Sequence, residues 1–576
     1  MKKKLLFFAL IFVSMQLFAI QQPEELMNDV NDAQRIMTRL KQLNALQKDI
    51  TNITNSEQNL LNSLITNTDE DSLELWVYNF LSNTHEMISV TRQINSSLCN
   101  IYVHDDIWNV TIDPVDVEHL RNAFEDSTAA DPTKGVYELD TEMFGITSDI
   151  DNNGKTNILI YDIDDTNING YFSPSDILGG PYSNNMELLY IDDNPHNAGI
   201  HSSYCYATLA HEFQHLIHCN HDSNETTWVN EGLSSFAQWV NGWISPYWMM
   251  LFTQNPDNNL VQWSAGADYP QSYLFMHYLY EHYVIDEENI IYNLVHITQN
   301  SMDGVDAALL ETGWGTDITS IEVFNNWVIA NHINDPVFMD GLYSYSDNPI
   351  GTGQFVLTNT AEYSSYPVTS DNVSMNHWSV NYILFENTNL DLSVDFDGDE
   401  TNSNFHVQFV KFLNNEPVEV VEMELDTQMT GSIVLPNSGI VYDKVLMVVT
   451  DTYTAYSQIT YSYEATNSVS AEEEEINIQS QYSVTNYPNP FSLSSARNSG
   501  ITISYNIPIS DNVKIDIYNI KGQKVASLYN EYNNIGVNSV LWDGRDDSNS
   551  VVSSGIYYYK ITSGEFIKTN KMILLK

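Results

Sequence analysis

The segment His211-Glu212-Phe213-Gln214-His215 sets two imidazoles and a carboxylate at a spacing that could do hydrolytic chemistry. On a helix, four residues turn through about 400°, so His211 and His215 fall about 40° apart on one face and can grip a single metal ion. Glu212 stands beside them, where a carboxylate can take the proton of a water activated by that ion. Five residues of this kind also arise by chance on solvated helices. Here the flanks Ala207, Leu209, Ala210, Phe213, Leu216 and Ile217 are apolar, which predicts a buried helix.

Such a site needs a third protein ligand, and two residues compete for the place. Glu231, in Trp228-Val229-Asn230-Glu231-Gly232-Leu233, opens a second expected helix and would complete a His, His, Glu set. His221 stands ten residues after His211, the spacing of the HExxHxxGxxH pattern, but His218 occupies the Gly position of that pattern. Gly there permits a sharp turn at positive φ, a conformation His adopts uncommonly.

HEFQH followed by WVNEGLSSFAQW resembles the gluzincin class of zinc peptidases, and most nearly the hyicolysin-like neutral metallopeptidases. The WVNEG flank is also similar to the WLNEG stretch of the aminopeptidase N group. The likeness spans about residues 95–345, with strong motifs only at 211–237. It implies an α+β zincin-like catalytic domain, zinc held by His211, His215 and Glu231, and Glu212 as general base. One departure is the spacing, since only fifteen residues separate His215 from Glu231. By the same likeness Tyr269 is the candidate to stabilise the oxyanion, with Tyr273 in reserve. An edge strand over 183–190 would hold the substrate backbone, and Glu225 or Asp222 would orient a ligand imidazole. The GxMEN motif of the aminopeptidases is missing, so endopeptidase action on protein or peptide substrates is expected. The alternatives are a metzincin-type peptidase using His221 and a non-catalytic surface adhesin built on a zincin fold.

A second set of candidate ligands is Asp149, Asp151 and Asn153, in Asp149-Ile150-Asp151-Asn152-Asn153-Gly154. This is the D-x-D-x-[DN]-G spacing of a calcium loop, but Ile160 stands where a bidentate Glu would close it. The competing reading is an Asx-rich turn before a strand.

The elements that must position these residues are legible in outline. Residues 1–19 read as a signal peptide, with a basic start, an apolar stretch over 5–18 and Ala19 as a small residue for cleavage. Residues 20–90 read as helix, either a helical N-terminal region or a prosegment, on a stripe from Leu26 to Ile53. Residues 91–350 form the expected catalytic domain, strands first and helices after. Residues 351–468 alternate with period two and predict a β-sandwich. An acidic linker at 469–483 leads to a β-module at 484–576. The motifs of that module, YPNPF at 487–491, IYNIKGQKV at 517–525 and WDGRD at 542–546, resemble the C-terminal sorting domain of the type IX secretion system, an immunoglobulin-like sandwich. The implied location is the exterior or cell surface of a Gram-negative-type bacterium, reached via the periplasm, with the secretion machinery as partner.

The composition is compatible with this reading. Of 576 residues, 22 are Lys or Arg and 76 are Asp or Glu, giving a net charge of −54. That balance argues against binding nucleic acid or an anionic membrane. Hydrophobic residues at 43% are enough to build packed cores, and the length calls for several of them. No segment after the first is apolar enough to predict a membrane span. Three cysteines, Cys99, Cys205 and Cys219, do not make a disulfide scaffold.

Overall fold

The computed structural model describes residues 72–576, apart from 245–248, 347–356, 468–482, 493–499 and some shorter stretches. The expected signal peptide, the leading helical region before residue 72 and the linker at 469–483, except its last residue, lie outside the described residues.

Six strands form one sheet: β1 (Ser72–Asn79), β2 (Thr84–Asn95), β3 (Cys99–His104), β4 (Thr156–Tyr161), β5 (Gly170–Phe172) and β6 (Leu188–Asp192). Their spatial order is β1-β2-β3-β4-β6-β5. The β3, β4 and β6 strands run parallel, while β1, β2 and β5 are antiparallel to their neighbours. The sheet is covered on both faces. Ile158 and Ile160 of β4 join the helix-side core, while Leu159 and Tyr161 join a smaller one with Leu75, Val77 and Val90. A strand covered twice needs a continuous apolar run, and TNILIY supplies it.

The expectation of helix through residue 90 is corrected here. Residues 72–79 and 84–95 are a paired hairpin, with Leu75 opposite Ile88. Leu73, Leu75 and Val77 alternate, so a helix would have scattered the face that the sheet buries. The six-stranded sheet therefore includes residues 72–90, ahead of the expected boundary at 91.

The helices are α1 (Pro114–Glu125), α2 (Val136–Phe144), α3 (Pro174–Leu178), α4 (Ser203–His221), α5 (Thr227–Val240), α6 (Met249–Thr253), α7 (Asp268–His282), α8 (Ile290–His296), α9 (Ser301–Thr312) and α10 (Ser320–Ile333). Their starts are encoded locally. Asp113 and Asp116 make a reciprocal capping box ahead of α1, with Pro114 in the first turn. Ser202 caps α4 by accepting the Cys205 N–H. All three cysteines are buried and unpaired, and two of them share α4.

One buried polar pair ties α2 to the end of α5. Asn241 Nδ2 donates to Asp140 Oδ1 at 2.7 Å, and both residues are fully buried. Asp140 Oδ2 and Asn241 Oδ1 have no partner. Burial pushes the Asp140 pKa well up, against a smaller lowering by the Asn241 bond. A carboxyl raised in the fold is most stabilising below its unfolded pKa of about 3.9, and stability is lost as pH rises through the folded value. Asp140→Asn keeps the shape and removes the ionisation. It should raise the thermal midpoint at pH 7–8, by at least about 1 kcal/mol of stability, and converge with wild type below about pH 4. A lower midpoint for the variant at neutral pH would contradict this.

Residues 361–467 form the expected sandwich of a four-stranded and a five-stranded sheet. The core between the sheets includes Phe385, Val394, Val407 and Tyr461. The outer face of the five-stranded sheet is not solvated. Trp378, Val380, Tyr382, Val410 and Leu446 belong to the same core as Phe324, Trp327 and Val328 of α10. Tyr382 Oη donates to the Val328 carbonyl at 2.6 Å, and Thr450 Oγ1 to Asn325 Oδ1 at 2.7 Å. The C-terminal module is a second sandwich, of three and five strands. Its core includes Val484, Ile503, Ile515, Trp542, Tyr559 and Leu574. Among the described residues no helix is long and apolar enough to cross a membrane.

Candidate metal centre

The α4 helix carries His211, Glu212 and His215 on its inner side, and all three are largely buried. The chain leaves α4 at Asp222 and re-enters helix at Thr227, so five residues close the turn and α5 packs back on α4. That tight return is how fifteen intervening residues suffice to bring Glu231, in the first turns of α5, opposite His211 and His215.

Two close approaches set the depth of the site. A methyl group at Gly232 would lie 3.0 Å from Ser272 Cβ and 3.2 Å from the Ser272 carbonyl, so α5 and α7 cross where only Gly fits without displacement. A methyl at Gly170 would lie 2.6 Å from the Tyr190 carbonyl and 2.7 Å from Thr208 Cγ2, so β5 lies directly against α4.

Glu231 Oε2 lies 3.1 Å from His211 Nε2 and 3.6 Å from His215 Nε2. Two ligand atoms on one tetrahedral zinc, each at about 2.0–2.1 Å, stand about 3.3 Å apart, so the two observed separations bracket the required value. Two neutral imidazoles and one carboxylate are also a donor set that zinc takes. The residues present therefore fit the ion. Burial works against the charge on Glu231, but the two imidazoles outweigh it and hold its carboxyl below the usual range. Burial likewise lowers the His215 pKa, yet the Glu231 charge and hydrogen bonds carry it up to about 9. Without an ion, a proton on an imidazole answers the Glu231 charge; zinc, when bound, would take the place of that proton, with both imidazoles neutral.

Glu212 is 7% exposed. Burial pushes its pKa up, the two imidazoles pull against that, and the Glu231 charge adds to the rise. The Phe172 backbone N–H donates to its carboxylate. Tyr269 enters from the first turn of α7, its ring 6.4 Å from that of His211 and edge-on to Trp263 at 4.7 Å. Burial and the charges of Glu231 and Glu212 raise the pKa of its hydroxyl, which stays protonated. Tyr273 is fully buried, with its hydroxyl 2.8 Å from His277 Nδ1, and does not reach the centre.

Several expectations are corrected. Ser183–Tyr190 is not an edge strand: β6 begins at Leu188 and lies between β4 and β5, so β5 is the edge. Strand order depends on long-range pairing, and the three residues of β5 are too few to show a period. Glu225 does not orient an imidazole, because its carboxylate takes the N–H of Ser301 at 2.9 Å and the Thr226 hydroxyl at 2.7 Å. Asp222 is also turned elsewhere, accepting the Asn224 N–H. The imidazole His215 is held instead by Asn230 and Ser234: its Nδ1–H donates to Asn230 Oδ1 at 2.5 Å, with Ser234 Oγ 2.9 Å away. A carbonyl acceptor requires the proton on Nδ1, which leaves the Nε2 lone pair for a metal. Asn230 and Ser234 stand four apart on α5, a spacing that could have disclosed them. His221 is directed away from the centre, with Nε2 3.0 Å from the Ile146 carbonyl and its ring against His296 at 3.9 Å. Fully buried His218 is kept neutral, its pKa pushed down to about 3, first by burial.

Comparison with known proteins places parts of the chain. Residues 493–565 match the family model of the FlgD Ig-like domain, in keeping with the C-terminal sandwich. Over 259 residues the chain is 27% identical to the neutral metalloprotease ShpI of Staphylococcus hyicus, covering 40% of this chain and 56% of that protein. The chain thus spans little more than half the length of this relative. Among solved structures, PorZ of Porphyromonas gingivalis, a surface component of the type IX secretion system, shares 19% identity over 20% of this chain and 14% of its own, at a TM-score of 0.13. A β-glucuronidase of Bifidobacterium dentium shares 9% identity over 34% of this chain and 38% of its own, at a TM-score of 0.12. Scores this low carry no structural argument.

Proposed function

We propose that the chain is an exported zinc-dependent endopeptidase, with His211, His215 and Glu231 as the metal ligands. The observation that carries this is the convergence of two imidazole Nε2 atoms and one carboxylate oxygen beside a buried Glu212. The 27% identity to a neutral metalloprotease supports it. Zinc, when bound, supplies Lewis acidity and brings the pKa of water down to about 7. Glu212 receives the proton of the attacking water at its carboxylate and later delivers it to the leaving amine nitrogen. The Phe172 N–H steadies that carboxylate, and Asn230 holds the His215 tautomer. The Tyr269 hydroxyl donates to the oxyanion as it develops. Strand β5, the outer strand of the sheet, offers its backbone to an extended substrate. The motifs quoted for the C-terminal module support its reading as an export-sorting domain.

The test is casein hydrolysis by the full chain after removal of any prosegment. Treatment with 1,10-phenanthroline should reduce the rate to background, and added zinc should restore it. Cleavage that survives complete metal removal overturns the proposal, while a metal-loaded protein that never cleaves leaves the adhesin reading standing.

A further inference from the structure

The calcium-loop spacing at 149–154 lacks its closing carboxylate in the local sequence, and the fold brings one from elsewhere. Parallel pairing of β4 with β6 sets Asn157 beside Leu188, and the Asn157 N–H donates to the Glu187 carbonyl at 2.7 Å. This pairing carries the Glu187 side chain under the loop. Carboxylate oxygens of Asp149, Asp151 and Glu187 then lie within 4.8 Å of one another. On one calcium ion, with bonds of about 2.4 Å, two oxygens can stand at most about 4.8 Å apart.

Glu187 is the independent observation. It is 1% exposed. Its Oε1 accepts the N–H of Ile150, the residue between the two aspartates, at 2.5 Å. Its Oε2 is buried with no hydrogen-bond partner. A buried, half-satisfied carboxylate is costly unless something charged meets it. No Lys or Arg among the described residues does so, and the nearby Lys155 ammonium is turned to Asn95 Oδ1 instead. The loop is held by its own bonds: Gly154 N–H donates to Asp149 Oδ1 at 3.1 Å, Asn153 Nδ2 and Asn157 Nδ2 to Asp151 Oδ2 at 2.6 and 3.2 Å, and Asn153 Oδ1 is taken up by the Lys155 N–H, so Glu187 rather than Asn153 is the third candidate ligand. Burial, then the neighbouring carboxylates, push the Asp151 pKa up.

We propose that Asp149, Asp151 and Glu187 bind a structural calcium ion that pins the entry loop of β4 to the residue before β6. All donors are oxygen, and the carboxylates carry charge that no described cation offsets, which suits a hard divalent ion. A second trio, Asp162, Asp192 and Asp193, also converges within 4.8 Å. There Asp192 takes the N–H groups of Ile163 and Asn194, and Asp193 the Thr111 hydroxyl, and, unlike Glu187, no carboxylate oxygen of that trio is buried without a partner among the described residues.

The experiment uses the full chain, stripped of divalent ions and reloaded with zinc alone. Calcium chloride should raise the thermal midpoint by several degrees and saturate. The shift should be lost in Glu187→Gln and in Asp149→Asn, which alters an exposed residue and keeps its acceptor for Gly154, and retained in Asp193→Asn. No shift, an equal shift with magnesium, or a shift retained in both loop variants overturns the proposal. The readout does not depend on peptidase activity, so it stands or falls separately from the zinc assignment.

Discussion

Glu212→Gln should lower kcat for casein hydrolysis by about 10²–10⁴-fold while leaving one zinc per chain. The size is that of a general base removed from a hydrolytic site. The direction follows from placement. Glu212 lies next to His211 in sequence, is 7% exposed, and is not part of the trio whose atoms converge. Gln preserves the volume and an oxygen for the Phe172 N–H, so fold and metal content should survive. Burial already raises the Glu212 pKa, which suits a group that must receive a proton and give it up again. A Gln variant with more than a tenth of the wild-type rate would remove Glu212 from the mechanism. Loss of zinc with loss of rate would recast it as a structural group.

Glu231→Ala should weaken zinc binding by more than about 100-fold, beyond the usual effect of altering a group outside the ligand set. His221→Ala should leave both zinc content and rate unchanged. The first variant removes both a donor and the carboxylate that stands closest to the two imidazole Nε2 atoms. The second removes a ring bonded to the Ile146 carbonyl, away from the centre. Metal content after equilibrium dialysis separates the two. If the His221 variant lost zinc and the Glu231 variant kept it, the ligand set proposed here would be wrong.

The readable parts of the site were those encoded locally. His211 and His215 are related by helix geometry alone, and Glu231 is one short turn away, so spacing was enough to bring all three into view. The helix at 203–221 announced itself through the apolar flanks of its metal-binding spacing. What failed depended on distant pairing. Residues 72–90 were assigned to a leading helix because the preceding stripe obscured a short alternation. The edge strand was misplaced because nothing in Gly170-Tyr171-Phe172 states which neighbour it pairs with. The support of His215 was sought among acids, whereas neutral Asn230 and Ser234 provide it. Glu187 was invisible for the same reason as the edge: only strand pairing carries it beneath the 149–154 loop.

The five-stranded sheet of the middle module has one face in its own sandwich and the other in the core behind the metal-site helices. This gives the two regions a joint inheritance. Separating them near residue 350 would leave Trp378, Tyr382 and Leu446 facing water on one piece, and Phe324 and Trp327 on the other. Neither piece could be traded between proteins by recombination without rebuilding that seam, so the two should travel through evolution as a single cassette. Among the described residues the C-terminal sandwich has a core of its own, drawn from residues 484–574, so its exchange for another tail would not open that seam.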